Sequence, residues 1–233
     1  KKYEADVVYG GIFYADGEKI KESKVVTKER VWKGKQEVKD LLLDFIATEP
    51  NEKKDTIMEV SVWKALFRKK VFDEYDISFV SERQFISEDV IFDIDYLSKC
   101  NCVVAIPEPV YFYCVNPNSL SKVFRTDRFN KVKKLYKEIL KKLIPIYGEE
   151  LSNRRGDRFL IARARTNARQ IIRHEKIIGK NKMMKALHNI CEDQDMNEIF
   201  QRYPIHLLPL KYRLVAYLMK YRCYHLLKII LGR

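Results

Sequence analysis

The chain has 233 residues, 46% of them hydrophobic and 12% aromatic. That is enough to fill a core and excludes general disorder. Its net charge of +13 is divided into −4 over residues 1–120 and +17 over 121–233, so two parts with different surroundings or partners are expected. It starts with Lys rather than Met and shows neither a signal peptide nor an uninterrupted apolar span, which makes a piece of a longer protein the expectation. The five cysteines, Cys100, Cys102, Cys114, Cys191 and Cys223, match no zinc or disulfide spacing and are expected to be reduced core thiols of a cytosolic protein.

In chain order, "ADVVYGGIFY" (5–14) predicts a strand with a bend or bulge at its glycine pair. "ADG" (15–17) predicts a turn and 18–26 a returning strand. Val38, Leu41, Leu42, Phe45 and Ile46 recur at helical spacing within 35–47. "TEPNEKKDT" is a polar loop, and "VWKALFRKKVF" (62–72) predicts a short helix with Trp63, Leu66 and Phe67 inward. "ISFV" (77–80) suits a short strand. "CVVAI" (102–106) and "VYFYCV" (110–115) read as two strands joined at "PEP", and "NPNSLS" as a turn. From about 122 the pattern turns helical, over 122–147, 157–178, 181–201 and 208–231. The expected architecture is α/β: a mixed sheet with flanking helices over 1–121, then a basic helical domain over 122–233.

"RQFISEDVIFDIDYL" (83–97) sets Glu88, Asp89, Asp93 and Asp95 among large apolar residues. Ser87 suits a helix N-cap, and Glu88 and Asp89 fall in the first turn, where the helix dipole favours anions. Val90, Ile94 and Leu97 make an inward stripe. Capping chemistry accounts for part of this acidity without any catalytic role.

The order "VWKALFRKKVF", "DISF", "SEDVIF", "PEPVYFYCVNPNSLS" resembles the second half of family 2 glycosyltransferases with the GT-A fold. In that family a "W-N-K-L-[YF]-R" segment precedes "I-x-F", an "E-D-x-x-F" helix start and a "Y-x-Y … S-x-S" stretch. The resemblance covers roughly residues 1–121. It implies sugar transfer from a nucleotide-sugar donor to a glycan or lipid-linked acceptor with inversion at the anomeric carbon. Asp89 would be the general base, Glu88 would orient the base or the acceptor, and Trp63 and Lys64 would line the acceptor pocket. The family's Lys in "W-N-K" corresponds to Ala65 here, and the basic residue that often follows "Y-x-Y" is Cys114. The family's N-terminal half, with the nucleotide pocket and the D-x-D that holds Mg²⁺ or Mn²⁺, has no counterpart here, so the fragment alone is expected to be inactive and the metal ligands to lie elsewhere. "DID" (93–95) has the D-x-D form but falls inside the helix after "ED", and carries no role in the family.

Arg154, Arg158, Arg165, Arg169 and Arg173 recur at helical spacing, with Gly156 liable to interrupt the first turn. Such a stripe can grip phosphates of a lipid-linked acceptor or an anionic lipid, with Arg165, Arg169 and Arg173 as the contacts. It can equally be a solvated face paired with the acidic "EDQDMNE" run at 192–198. The final segment, acid-free from Leu208 onward, sets Leu210, Leu214, Tyr217, Leu218 and Tyr221 on one stripe between basic residues. It suits either a membrane-surface helix with snorkelling bases or a packed tail helix. The four histidines show no metal-ligand spacing. The leading expectation is therefore a glycosyltransferase fragment at the cytoplasmic side, at the inner face of the cell membrane if the last helix is interfacial. The alternative is a non-catalytic basic module for nucleic acid or anionic membrane; no recognised nucleic-acid motif is present.

Overall fold

The computed structural model describes residues 2–58, 61–116, 125 and 127–232. The chain forms two compact units: Lys1–Ile46 with Thr56–Val123, and Ala47–Asp55 with Phe124–Arg233. The boundary expected near 121 and most of "NPNSLS" lie outside the described residues.

The first unit is a mixed α/β layer. Its elements are β1 (Val7–Asp16), β2 (Lys19–Ser23), β3 (Arg30–Lys33), α1 (Lys35–Ile46), a 3-10 turn (Val62–Lys64), β4 (Ala65–Phe67), α2 (Lys69–Tyr75), α3 (Asp89–Leu97) and β5 (Cys102–Cys114). The sheet runs β2-β1-β5-β3, and β4 also pairs with β1. β1 lies parallel to β5, while β2 and β4 pair with it antiparallel in tandem, at Ile12–Asp16 and Val7–Tyr9. Val7, Tyr9, Val103 and Ala105 from the strands, Leu42 and Phe45 from α1, and Val90, Ile91 and Ile94 from α3 are buried.

Several expectations change here. β5 is one strand rather than two, because its pairing with β1 passes Pro107 and Pro109 with register shifts at Gly11. A Cβ on Gly10 would come within 2.5 Å of Val110, and one on Gly11 within 2.8 Å of the Ser23 carbonyl, so the bulge requires both glycines. "VWKALFRKKVF" is not one helix: it forms the 3-10 turn, β4 and the start of α2. Leu66 is 76% exposed rather than inward, because β4 adopts the two-residue alternation of an edge strand. Residues 77–80 form no strand.

The second unit consists of α4 (Arg128–Tyr147), α5 (Glu149–Arg173), α6 (Glu175–Ile178), α7 (Lys180–Cys191), α8 (Gln194–Arg202), a 3-10 turn (Ile205–Leu207), α9 (Leu210–Lys220) and α10 (Tyr224–Gly232), together with residues 47–55. α5 runs unbroken through Gly156, where a Cβ would stand 2.6 Å from Leu140 and 3.2 Å from Tyr136. The glycine therefore lets α4 and α5 approach closely. The segment expected as one helix over 208–231 breaks between α9 and α10, where Arg222 takes a φ of 58°.

The arginines of α5 do not face the 192–198 run. Arg155 donates to the Ala47 carbonyl at 2.7 Å, and Arg158 to the carbonyls of Pro50 and Glu52 at 2.9 and 3.1 Å. Arg154 and Arg155 pair with Glu49 at 3.2 and 3.1 Å, and Arg158 and Arg165 with Asp55. The acids at 193 and 195 pair instead with Lys133 and Lys137 of α4. "TEPNEKKDT" is thus a strap held on α5, and its buried carbonyls depend on Arg158, which is 1% exposed. Arg158→Met is expected to cost roughly 2–4 kcal/mol, because it leaves those carbonyls without a donor and Asp55 with Arg165 as its remaining ion-pair partner. Arg173→Met, at an exposed position, is expected to stay within about 0.5 kcal/mol of the parent. Urea denaturation of both variants measures the difference.

Candidate active site

The start of α3 brings part of the predicted set together. Ser87 is not the cap: it takes a φ of 60°, and Glu88 holds the capping position without a side-chain cap bond. Asp89 is the first residue of α3. Its half-buried carboxylate accepts a hydrogen bond from the backbone N–H of Val62, in the same 3-10 turn that carries Trp63 and Lys64. Burial pushes the Asp89 carboxyl above its ordinary range, while the N–H groups of Val62 and of Asp89 itself pull it back. Burial also raises Glu88, its own backbone N–H opposing and the neighbouring Asp89 and Glu82 charges adding to the shift.

Trp63 is 38% exposed and lies against Tyr111 and Tyr113, with ring centroids 4.7 and 5.5 Å away. The two tyrosines are two residues apart on β5 and so share a sheet face, and Tyr14 of β1 extends the row with its ring 5.6 Å from Tyr113. Partly exposed rings in a row offer an apolar surface to the C–H face of a sugar, with the phenol hydroxyls as polar handles. Of this platform the sequence reading singled out Trp63 alone. The spacing of Tyr111 and Tyr113 was a signal for their shared face, but their approach to Trp63 depends on β4 pairing with β1.

Lys64 does not line this surface. It is 3% exposed and lies near Asp93 inside the unit, because the 3-10 turn directs residues 63 and 64 to different sides. Asp93 is fully buried, and its Oδ1 accepts a hydrogen bond from the Tyr9 hydroxyl at 3.1 Å. Burial pushes its carboxyl up to about 8, with the Tyr9 bond opposing, the Asp89 charge adding and Lys64 opposing. The signal was present in the sequence: Asp93 lies three residues after Val90 and four before Leu97, on the stripe read as inward. Asp95, by contrast, is half-buried, so the two acids of "DID" do not face a common point. Among the described residues no group of three or more His, Cys, Asp or Glu side chains is placed to hold a metal ion, and these residues do not fit the Mg²⁺ or Mn²⁺ that the resemblance implies.

In the second unit, Arg165 and Arg169 border a cavity of about 180 Å³ with Thr166, Lys211 and Tyr212. Arg165 is committed to Asp55 and to the Tyr212 ring, 3.8 Å from its guanidinium. Arg173 is exposed and outside the cavity lining. Among the described residues no helix is long and apolar enough to cross a membrane. Leu210, Leu214 and Tyr221 of the expected stripe are 73%, 46% and 67% exposed, whereas Leu218 is buried.

The Asp93 environment has a consequence for stability. Between the ordinary aspartate range and about pH 8, the folded chain keeps the Asp93 proton and the unfolded chain has released it. Stability therefore falls as pH rises across that window and levels off above it. Asp93→Asn keeps an acceptor for Tyr9 and removes the titration. Urea midpoints measured from about pH 5 to 9 should fall for the parent and stay flatter for the variant, which should equal or exceed the parent at the alkaline end.

No family model and no curated protein matches the sequence. The structure is similar to the crystal structure of S. aureus TarS 1-349 in complex with UDP-GlcNAc, at a TM-score of 0.54 and 13% identity. The match covers 99% of this chain and 60% of that one, so the chain spans about 60% of the length of that structure and shares a fold with it.

Proposed function

We propose that this chain is the acceptor side of a glycosyltransferase that passes a sugar from a nucleotide-sugar donor to a glycan or lipid-linked acceptor with inversion. The observation that carries this reading is a half-buried carboxylate with a raised pKa at a helix start, anchored to the turn that bears a partly exposed Trp–Tyr–Tyr platform. The fold shared with a sugar-nucleotide-binding glycosyltransferase supports it. In this reading an acceptor sugar stacks on Trp63, Tyr111 and Tyr113. Asp89 takes the proton of the acceptor hydroxyl while its oxygen attacks the anomeric carbon and the nucleotide diphosphate departs. The Val62 N–H fixes the direction of the Asp89 carboxylate, and partial burial raises its basicity. Glu88 orients the acceptor.

The test is sugar transfer by the protein that carries this chain. Asp89→Asn should keep the melting temperature within a few degrees and lower kcat by roughly 10²–10⁴-fold, because an amide cannot take the proton. Trp63→Ala should chiefly raise the acceptor KM. In the parent, the acidic limb of kcat/KM should lie above the ordinary aspartate value, following the raised Asp89 carboxyl. Normal turnover by a folded Asp89→Asn variant would reduce this carboxylate to a helix-end charge.

One observation favours a membrane-surface setting for the second unit. Leu210, Leu214 and Tyr217 of α9 share one side with Tyr221 at its C-cap, three of the four well exposed, in a stretch without Asp or Glu from 203 to 233. Lys211 and Arg213 flank them, and Lys211 borders one cavity with Arg169 of the basic stripe. Such a face suits shallow insertion into an anionic leaflet. Leu210→Glu with Leu214→Glu should abolish co-sedimentation with phosphatidylglycerol vesicles and leave the fold intact.

A further inference from the structure

The second unit holds a polar cavity apart from the arginines that fasten the strap. The start of α4, the middle of α5 and α7 enclose about 60 Å³ lined by Arg125, Arg128, Asn167, Gln170 and Asn189, with Phe129 and isoleucines closing it and no carboxylate among the described residues of the lining. A single water needs roughly 10–15 Å³ of such space, so a group the size of a phosphate fits.

Two donors there are buried with no hydrogen-bond partner: Arg128 Nη1 and the Nδ2 of Asn167, a residue 3% exposed. The nearest carboxylate along the chain, Asp127, is engaged elsewhere. It takes two hydrogen bonds from Arg125, at 3.1 and 3.0 Å, and pairs with Lys131 at 3.6 Å. Burial and the Arg125 cation both lower the Arg128 pKa, and burial and Arg128 in turn lower Arg163, with the Asp55 charge opposing. A water molecule can satisfy an orphaned N–H, but only an anion also balances the guanidinium charge. Phosphate oxygens suit both a guanidinium fork and an amide N–H.

We propose that this cavity is a binding site for a phosphate group, carried by a small phosphate ester or by a lipid headgroup, with Arg128 and Asn167 donating to its oxygens. The site does not rest on the sugar-transfer reading, and its residues are separate from Asp89 and the aromatic platform.

The test is titration of the full chain with sodium phosphate against sodium chloride at matched ionic strength, followed by calorimetry and thermal melting. Saturable binding and a melting temperature that climbs with phosphate are expected. Arg128→Gln and Asn167→Leu should each weaken binding about tenfold or more. Without phosphate both variants should melt at or above the parent temperature, since Asn167→Leu removes an orphaned buried donor and Arg128→Gln a buried charge without a counter-ion. Arg173→Gln should change neither quantity. Glycerol 3-phosphate and phosphatidylcholine vesicles with or without phosphatidic acid separate the two sources. Binding of the soluble ester without vesicle association assigns the group to a small molecule. Association that needs phosphatidic acid and is lost in both Arg128→Gln and Asn167→Leu assigns it to a headgroup. A parent that responds to phosphate no more than to chloride and binds no vesicles overturns the proposal, as does a phosphate response that survives in both cavity variants.

Discussion

β1 and β5 stay paired in parallel from the Val7–Val103 pair to the Ala15–Cys114 pair, with the register shifting at Gly11, past two prolines that cannot donate to a ladder. That is possible because Gly10 and Gly11 bring no side chain into the space that Val110 and the Ser23 carbonyl occupy. The features of the first unit that bear on chemistry depend on this pairing. Its first half places the Tyr9 hydroxyl on Asp93 and the Tyr9 ring on Phe45 and Phe67, 5.3 and 6.2 Å away. Its second half carries Tyr111 and Tyr113 to Trp63. The first half also offers β1 to β4, which fixes the turn whose N–H holds Asp89.

In the second unit the corresponding constraint is the burial of arginine. Arg155, Arg158 and Arg165 would be costly inside a helical bundle without acceptors. The strap supplies backbone carbonyls and the carboxylates of Glu49 and Asp55. The converse holds at Asp157: this carboxylate, 2% exposed, is balanced by the exposed Arg202, and the pair ties α8 to α4 through Tyr136. Part of the positive charge counted over 121–233 is therefore balanced by acids from earlier in the sequence.

Local pattern was sufficient where an element packs through its own period. The helix expected over 35–47 is α1 at Lys35–Ile46, and of the bend or bulge expected at the glycine pair of β1 the structure has the bulge. It failed where a distant partner decides. Trp63, Leu66 and Phe67 fit a helical face as well as they fit a turn and an edge strand, and only β1 breaks the tie. The arginine stripe was visible, but its partners lie about a hundred residues upstream, and a nearer acidic run was the more obvious choice. Of the residues expected at the site, Glu88, Asp89 and Trp63 are gathered around one turn and one helix start, while Lys64 is drawn inward to Asp93. The platform tyrosines were read as strand residues, since a sheet face does not declare which ring will cover it.

The strap also sets a timetable for synthesis. Its carbonyls and acids are bound by arginines 103 to 110 residues further along. At a ribosomal pace of about 5–20 residues per second, the nascent strap waits roughly 5–20 s for them. During that interval β1, α1 and β5 can already assemble, but the peptide between α1 and the 3-10 turn has no fixed seat and presents Glu49, Glu52 and Asp55 to the surroundings. Nascent-chain proteolysis should find it cleavable until α5 has left the exit tunnel and protected afterwards.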